Sequence, residues 1–98
     1  MEKKFEPVEK TLEILQLAQQ VHEQARIDFA EGRKLIPRAQ IAIEKVRGEA
    51  RRAEREDVAQ FCGTVEVYLN SLASRADYHS VLSASLDTLS RRAALVRD

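Results

Sequence analysis

Only three glycines and two prolines punctuate 98 residues. A β-rich domain needs turn residues about every ten positions. A chain this poor in them has few places to reverse, and its elements must be long. Ala, Leu, Glu, Gln and Arg recur throughout, and these residues lose least on entering a helix. The expectation is an all-α fold forming a single domain over 1–98. Hydrophobic residues make up 44% of the chain, enough to build a core and too many for a disordered polyampholyte. No apolar run approaches the roughly twenty residues of a membrane span. The first residues, Met1 to Pro7, carry Lys3 and Lys4 with no apolar stretch behind them, unlike a secretory leader. Cys62 is the single cysteine, so an internal disulfide is excluded and a cytoplasmic setting is expected.

The apolar positions arrange the helices. Phe5, Val8, Leu12, Leu15, Ala18, Val21 and Ala25 recur at spacings of three and four. This predicts a first helix over about 7–31, opened by Pro7 and closed by Gly32 as a left-handed cap. Arg33 to Ile36 reads as a connector, and Pro37 then opens a second helix to about residue 56. Its seam is Ile36, Ala39, Ile43, Val46, Ala50 and Ala53, spaced like the heptads of an antiparallel coiled coil. Folding back near residue 34 would bring Glu13 to Arg55 and Glu23 to Lys45.

After Ala53 the seam fails, because Asp57 and Gln60 fall where apolar residues should be. A new stripe, Val58, Phe61, Val65, Tyr68 and Leu72, starts one residue out of phase. Asp57–Gln60 resembles a capping box. The prediction is an antiparallel hairpin or bundle of three long helices, whose middle helix breaks near 54–63 if there are four. A strand over Thr64–Leu69 is the competing reading, but its backbone groups would have no partner. Four helices then cover about 7–31, 37–56, 58–73 and 76–96. The last is signalled by the capping pattern at Ser74–Asp77 and by Tyr78, Leu82, Leu86, Leu89, Ala93 and Val96.

The residues that carry chemistry are few. Cys62 lies on an apolar stripe and reads as a small buried hydrophobe. His22 falls on the inner edge of the first helix, and His79 in the first turn of the last. The sequence has no helical metal-ligand pair and no glycine-rich phosphate loop. The expectation is therefore a protein without enzymatic activity, cofactor or metal.

Charge is more informative. The chain has 16 basic and 16 acidic residues and a net charge of zero, but the charges are segregated. Residues 1–32 carry four basic and seven acidic groups, 33–55 eight and three, and 56–98 four and six. Arg47, Arg51 and Arg55 stack on one helical face, with Arg52 and Lys45 beside them and Arg38 further back. Such a stripe serves either to pair with the acidic first helix or to meet an acidic partner. Ile14, Leu17, Ile27, Ile41 and Val67 lie off the main apolar stripes and are candidates for a second, partner-facing surface. The serines from Ser71 to Ser90 serve as caps and close contacts, or else line a helix groove. Together these features predict a small cytoplasmic protein–protein interaction module: a self-associating homodimer, an adaptor, or a chaperone-like partner of a larger protein. A nucleic-acid-associated regulator using the basic stripe over 38–55 is the alternative; no membrane partner is expected.

Overall fold

Asp28 makes the first reversal of the chain by itself. The computed structural model describes residues 4–74 and 79–98, with side chains over 4–73 and 84–98. Helix α1 spans Pro7–Ile27 and helix α2 Phe29–Arg52, leaving one residue between them. Asp28 is extended, at φ −146° and ψ 105°. Its N–H donates to the Gln24 carbonyl at 2.8 Å and closes α1. Its carboxylate accepts from the Glu31 N–H at 3.2 Å, and its carbonyl from the Gly32 N–H at 2.9 Å. One residue thus ends one helix and caps the next, satisfying a carbonyl at the end of α1 and an N–H at the start of α2 that would otherwise be left orphaned.

This corner corrects the expected boundaries. Gly32 is not a left-handed cap: no glycine here has positive φ, and Gly32 lies inside α2. What it supplies is space. A Cβ at Gly32 would sit 2.5 Å from both Cα and Cβ of Ala25, so the two backbones can cross at the corner only without a side chain at 32. The connector Arg33–Ile36 is helical, and Pro37 lies well inside α2 instead of opening it. The proline ring leaves the Arg33 carbonyl without its helical donor. Because Pro37 is exposed, water can reach that carbonyl, and the helix continues.

The second reversal comes where the stripe changes phase. The Arg55 N–H donates to the Ala50 carbonyl at 2.8 Å and the Glu54 N–H to that of Arg51 at 3.1 Å. This is the Schellman closure of a helix C-terminus. Its left-handed residue is Glu54, with φ of 60°, so the turn formed without the glycine that normally announces it. Helix α3 covers Glu56–Ser74, including the stretch read alternatively as a strand. Asp57 falls in its first turn, not at the cap, and its carboxylate receives the Arg55 guanidinium at 3.1 and 2.9 Å. Helix α4 spans His79–Ala93. The Ser74–Asp77 capping pattern, Tyr78, and the side chains of His79 and Leu82 lie outside the described residues.

Over the described residues the fold is an all-α bundle of four helices. Helices α1 and α3 each pack against all the others, and α2 and α4 take opposite flanks. The Val8 N–H lies 3.4 Å from Asp98 Oδ1, and the Arg55 guanidinium donates to the Arg97 carbonyl. The start of α1, the α2–α3 turn and the chain end therefore share one pole, with Asp28 at the other, and successive helices run antiparallel. The bundle measures 45 × 23 × 16 Å. Ile14, Ile43, Val65, Leu69 and Leu72 are fully buried at its centre, each burial stabilising by about 1.5–3 kcal/mol. Leu86, Leu89, Ala93 and Val96 bring the last stripe to the same core. Two expected members are missing from it: Leu12 is half-exposed, and Ala53 is exposed at the Schellman turn.

These placements make opposite predictions for three small changes. Gly32→Ala should destabilise by about 1–3 kcal/mol, because the added methyl meets backbone at Ala25. Gly63→Ala, where nothing lies within 4 Å of the new methyl, should stabilise by up to about 1 kcal/mol through helix propensity. Urea unfolding followed by circular dichroism distinguishes them, and equal signs would contradict the corner geometry. Pro37→Ala should stabilise by about 1–3 kcal/mol in thermal melts, since the alanine restores an interior helical hydrogen bond; a proline opening the helix would give almost no change.

Candidate interaction surface

Moving the reversal from residue 34 to Asp28 changes which charges meet. Glu13 pairs with Lys10 at 3.5 Å and Glu23 with Arg26 at 2.7 Å, both within α1. The expected α1–α2 pairs, Glu13 with Arg55 and Glu23 with Lys45, do not form.

Two of the stripe arginines are consumed inside the bundle. Arg47 donates to Glu44 at 2.8 Å, and its other terminal nitrogen lies 3.2 Å from the Glu66 carboxylate on α3. That second approach is within ion-pair reach but misaligned for a hydrogen bond. With its side chain 16% exposed, Arg47 is a clamp between α2 and α3. Arg55 is held by Asp57 and by the Arg97 carbonyl. The guanidinium, joined by backbone N–H groups of the first turn, holds the Asp57 carboxyl below its usual range. Arg51, Arg52, Lys45 and Arg38 are exposed and make no ion pair among the described residues. Arg38, Lys45 and Arg52 recur at intervals of seven, which places them along one face of α2.

The apolar candidates divide in the same way. Ile14 is fully buried and Leu17 packs partly against the core, so both belong to the interior. Ile27 and Ile41 are each 73% exposed and Val67 66% exposed. Ile41 is one turn beyond Arg38 and one turn before Lys45, on the same outer face of α2.

His22 and Cys62 have interior roles. His22 Nδ1 and the Tyr68 hydroxyl share a hydrogen bond of 2.5 Å, with both side chains buried between α1 and α3. This is a polar tie within an apolar core; periodicity located both residues but could not pair them across 46 positions. Cys62 is fully buried, and burial pushes its thiol up to about 11. Burial likewise raises the Tyr68 hydroxyl above its usual range. A thiol so protonated is a poor nucleophile. Among the described residues no three His, Cys, Asp or Glu side chains cluster to hold a metal, and no helix is long and apolar enough to cross a membrane.

Two open grooves flank the residues just before α1. One, of about 840 Å³, runs from Phe5 and Val8 past Leu12 to Arg55 and Asp98. The other, of about 870 Å³, lies between the first turn of α1 and the last turns of α2, with Lys4, Lys10, Lys45, Glu49 and Arg52 on its walls and Phe5 and Ala53 at its apolar end. Sequence reasoning had placed Lys45 and Arg52 on a basic stripe, but not Lys4, Lys10 or Phe5 beside them. A third, smaller groove between α3 and α4 includes Val67, Ser71 and Ser85. No family model, curated protein or solved structure matches the chain.

The buried thiol and phenol carry a stability prediction. Both folded values lie above the unfolded ones of 9.0 for Cys62 and 10.0 for Tyr68. The unfolded chain therefore releases protons first, and stability is complete below pH 9 and declines as pH rises toward 11. Urea midpoints should fall by the equivalent of about 1 kcal/mol between pH 8 and pH 10, and Cys62→Ala should flatten that slope while lowering stability at neutral pH. A slope unaltered by Cys62→Ala would contradict it.

Proposed function

We propose that this chain is a helical protein–protein interaction module rather than an enzyme, working through the outer flank of α2. The observation that carries this reading is Ile41. It is a large aliphatic side chain, 73% exposed, on a helix face where Arg38, Lys45 and Arg52 have no partner among the described residues. Single exposed aliphatics are ordinary. One set among cations at heptad spacing is the arrangement by which helices recognise helices: an apolar contact for affinity and flanking charges for orientation and partner choice. Helix α4 covers the opposite side of the bundle and leaves this flank open. The partner is a second copy of the chain, or a larger protein that this chain serves as an adaptor or chaperone. The single, deeply buried Cys62 suits a reducing compartment, and we place the protein in the cytoplasm.

A photoreactive amino acid at position 41 tests this. In cells it should give discrete adducts resistant to nuclease, at twice the chain mass for a self-associating module or at a higher mass for an adaptor. The same group at the exposed Gln19 of α1 should not give them. Nuclease-sensitive adducts would favour the nucleic-acid reading, and the absence of adducts specific to position 41 would overturn the module.

A further inference from the structure

The groove between the start of α1 and the end of α2 has a chemistry of its own. Four cations, Lys4, Lys10, Lys45 and Arg52, line it against one carboxylate, Glu49. Lys10 is drawn partly aside by Glu13, 3.5 Å away. Lys45 and Arg52 are exposed and make no ion pair among the described residues. They lie two turns apart on one face of α2, about 10.5 Å along the axis. Phe5 and Ala53 supply an apolar patch at the same end. At about 870 Å³ the groove is near the upper end of the range of about 300–1,000 Å³ for ligand pockets, and it is open enough to admit a segment of chain.

We propose that this groove receives an acidic amphipathic helix of a partner protein. Its carboxylates oppose Lys45 and Arg52 at matching two-turn intervals, with Lys4 and Lys10 closing on them from the α1 side, and an apolar side chain rests on Phe5 and Ala53. This rests on the reading of the chain as a protein interaction module and names the partner's chemistry. Charge complementarity selects an acidic occupant, and the groove's other residues select a peptide over a nucleic acid. Glu49 lies among the cations and Glu13 at their border, where each would repel a phosphate backbone but can orient a helix of mixed charge. The apolar patch has use for a leucine and none for a phosphate. The chain as a whole is neutral and so lacks the long-range field by which polyanion binders capture nucleic acid.

Panning a random peptide library against the immobilised full-length chain tests the groove directly. Wild type should enrich peptides that combine acidic and aliphatic residues at helical spacing. Measured by fluorescence anisotropy, an enriched peptide should bind the Lys45→Glu/Arg52→Glu variant at least about tenfold more weakly, with affinity falling as salt is raised. Both side chains are exposed, and circular dichroism verifies that the variant keeps its helices. No enrichment, enrichment of peptides without acidic residues, or binding indifferent to the double substitution would each overturn the proposal. Tighter binding of a labelled DNA duplex or single-stranded RNA than of any enriched peptide, lost in the same variant, would assign the groove to nucleic acid instead. Position 41 lies outside the groove, so nuclease-resistant adducts there together with failed panning would sink this inference and leave the module standing.

Discussion

The closeness of Gly32 to Ala25 governs the remainder of the fold. Where the two backbones touch, nothing larger than hydrogen fits, and this fixes how α2 descends along α1. Asp28 makes the reversal in one residue by serving both helix ends. With crossing point and turn both set, the register of α2 follows, and with it the identity of every neighbour along the α1–α2 groove. Lys10 shares a groove with the last turns of α2, and Phe5 lines that groove together with Ala53. A reversal six residues later would have spent the basic residues on acidic partners in α1. The grouping of cations at one pole is thus a consequence of backbone packing at the other.

The two reversals also explain which parts of this architecture were legible in the sequence. Apolar spacing reports burial, and burial follows the helix axis, so the stripes Ile36–Ala50 and Val58–Leu72 were correctly placed. The change of phase after Ala53 marked a real break. What spacing does not report is how a helix ends. Glu54 holds a left-handed conformation that glycine usually takes, at a cost of about 1–2 kcal/mol, while Gly32 and Pro37, the conventional punctuation, sit inside a continuous helix. At Gly32 the local turn signal lost to tertiary packing, and at exposed Pro37 water can reach the carbonyl that the ring leaves without a donor. Boundaries are where a helix depends most on long-range contacts, so the misreadings gathered there: the Arg33–Ile36 connector, the Asp57 cap and the α1–α2 ion pairs.

The same distinction runs through the candidate site. The charge pattern put Lys45 and Arg52 in the basic stripe, beside the face of Arg47, Arg51 and Arg55, and the structure keeps them exposed. That pattern could not separate them from Arg47 and Arg55, cations of the same stripe that face Glu66 and Asp57. An arginine's role depends on whether a carboxylate from another helix arrives within about 4 Å, and that is a property of the register. Likewise Ile14 and Ile41 looked alike as aliphatics off the main stripe. A helix packed against several neighbours, as α1 is, buries a wider arc than one on a flank, so Ile14 was drawn into the core and Ile41 left outside.

A net charge of zero therefore has a specific physical meaning in this molecule. Salt bridges within one helix, such as Arg26–Glu23, Lys34–Glu31 and Arg91–Asp87, cancel locally and contribute little to stability. The Arg47–Glu66 pair, partly shielded from water, ties two helices together. The remaining charge is unevenly distributed: uncompensated cations lie on α2 toward the α1 groove, and neutrality is restored by acidic residues elsewhere. Such a surface exerts little pull at distances beyond about 10 Å, where ionic screening dominates, yet it discriminates strongly at contact. That favours recognition of one shaped, charged segment over capture of any polyanion, because selectivity then depends on fitting the groove and not on the total charge of the chain.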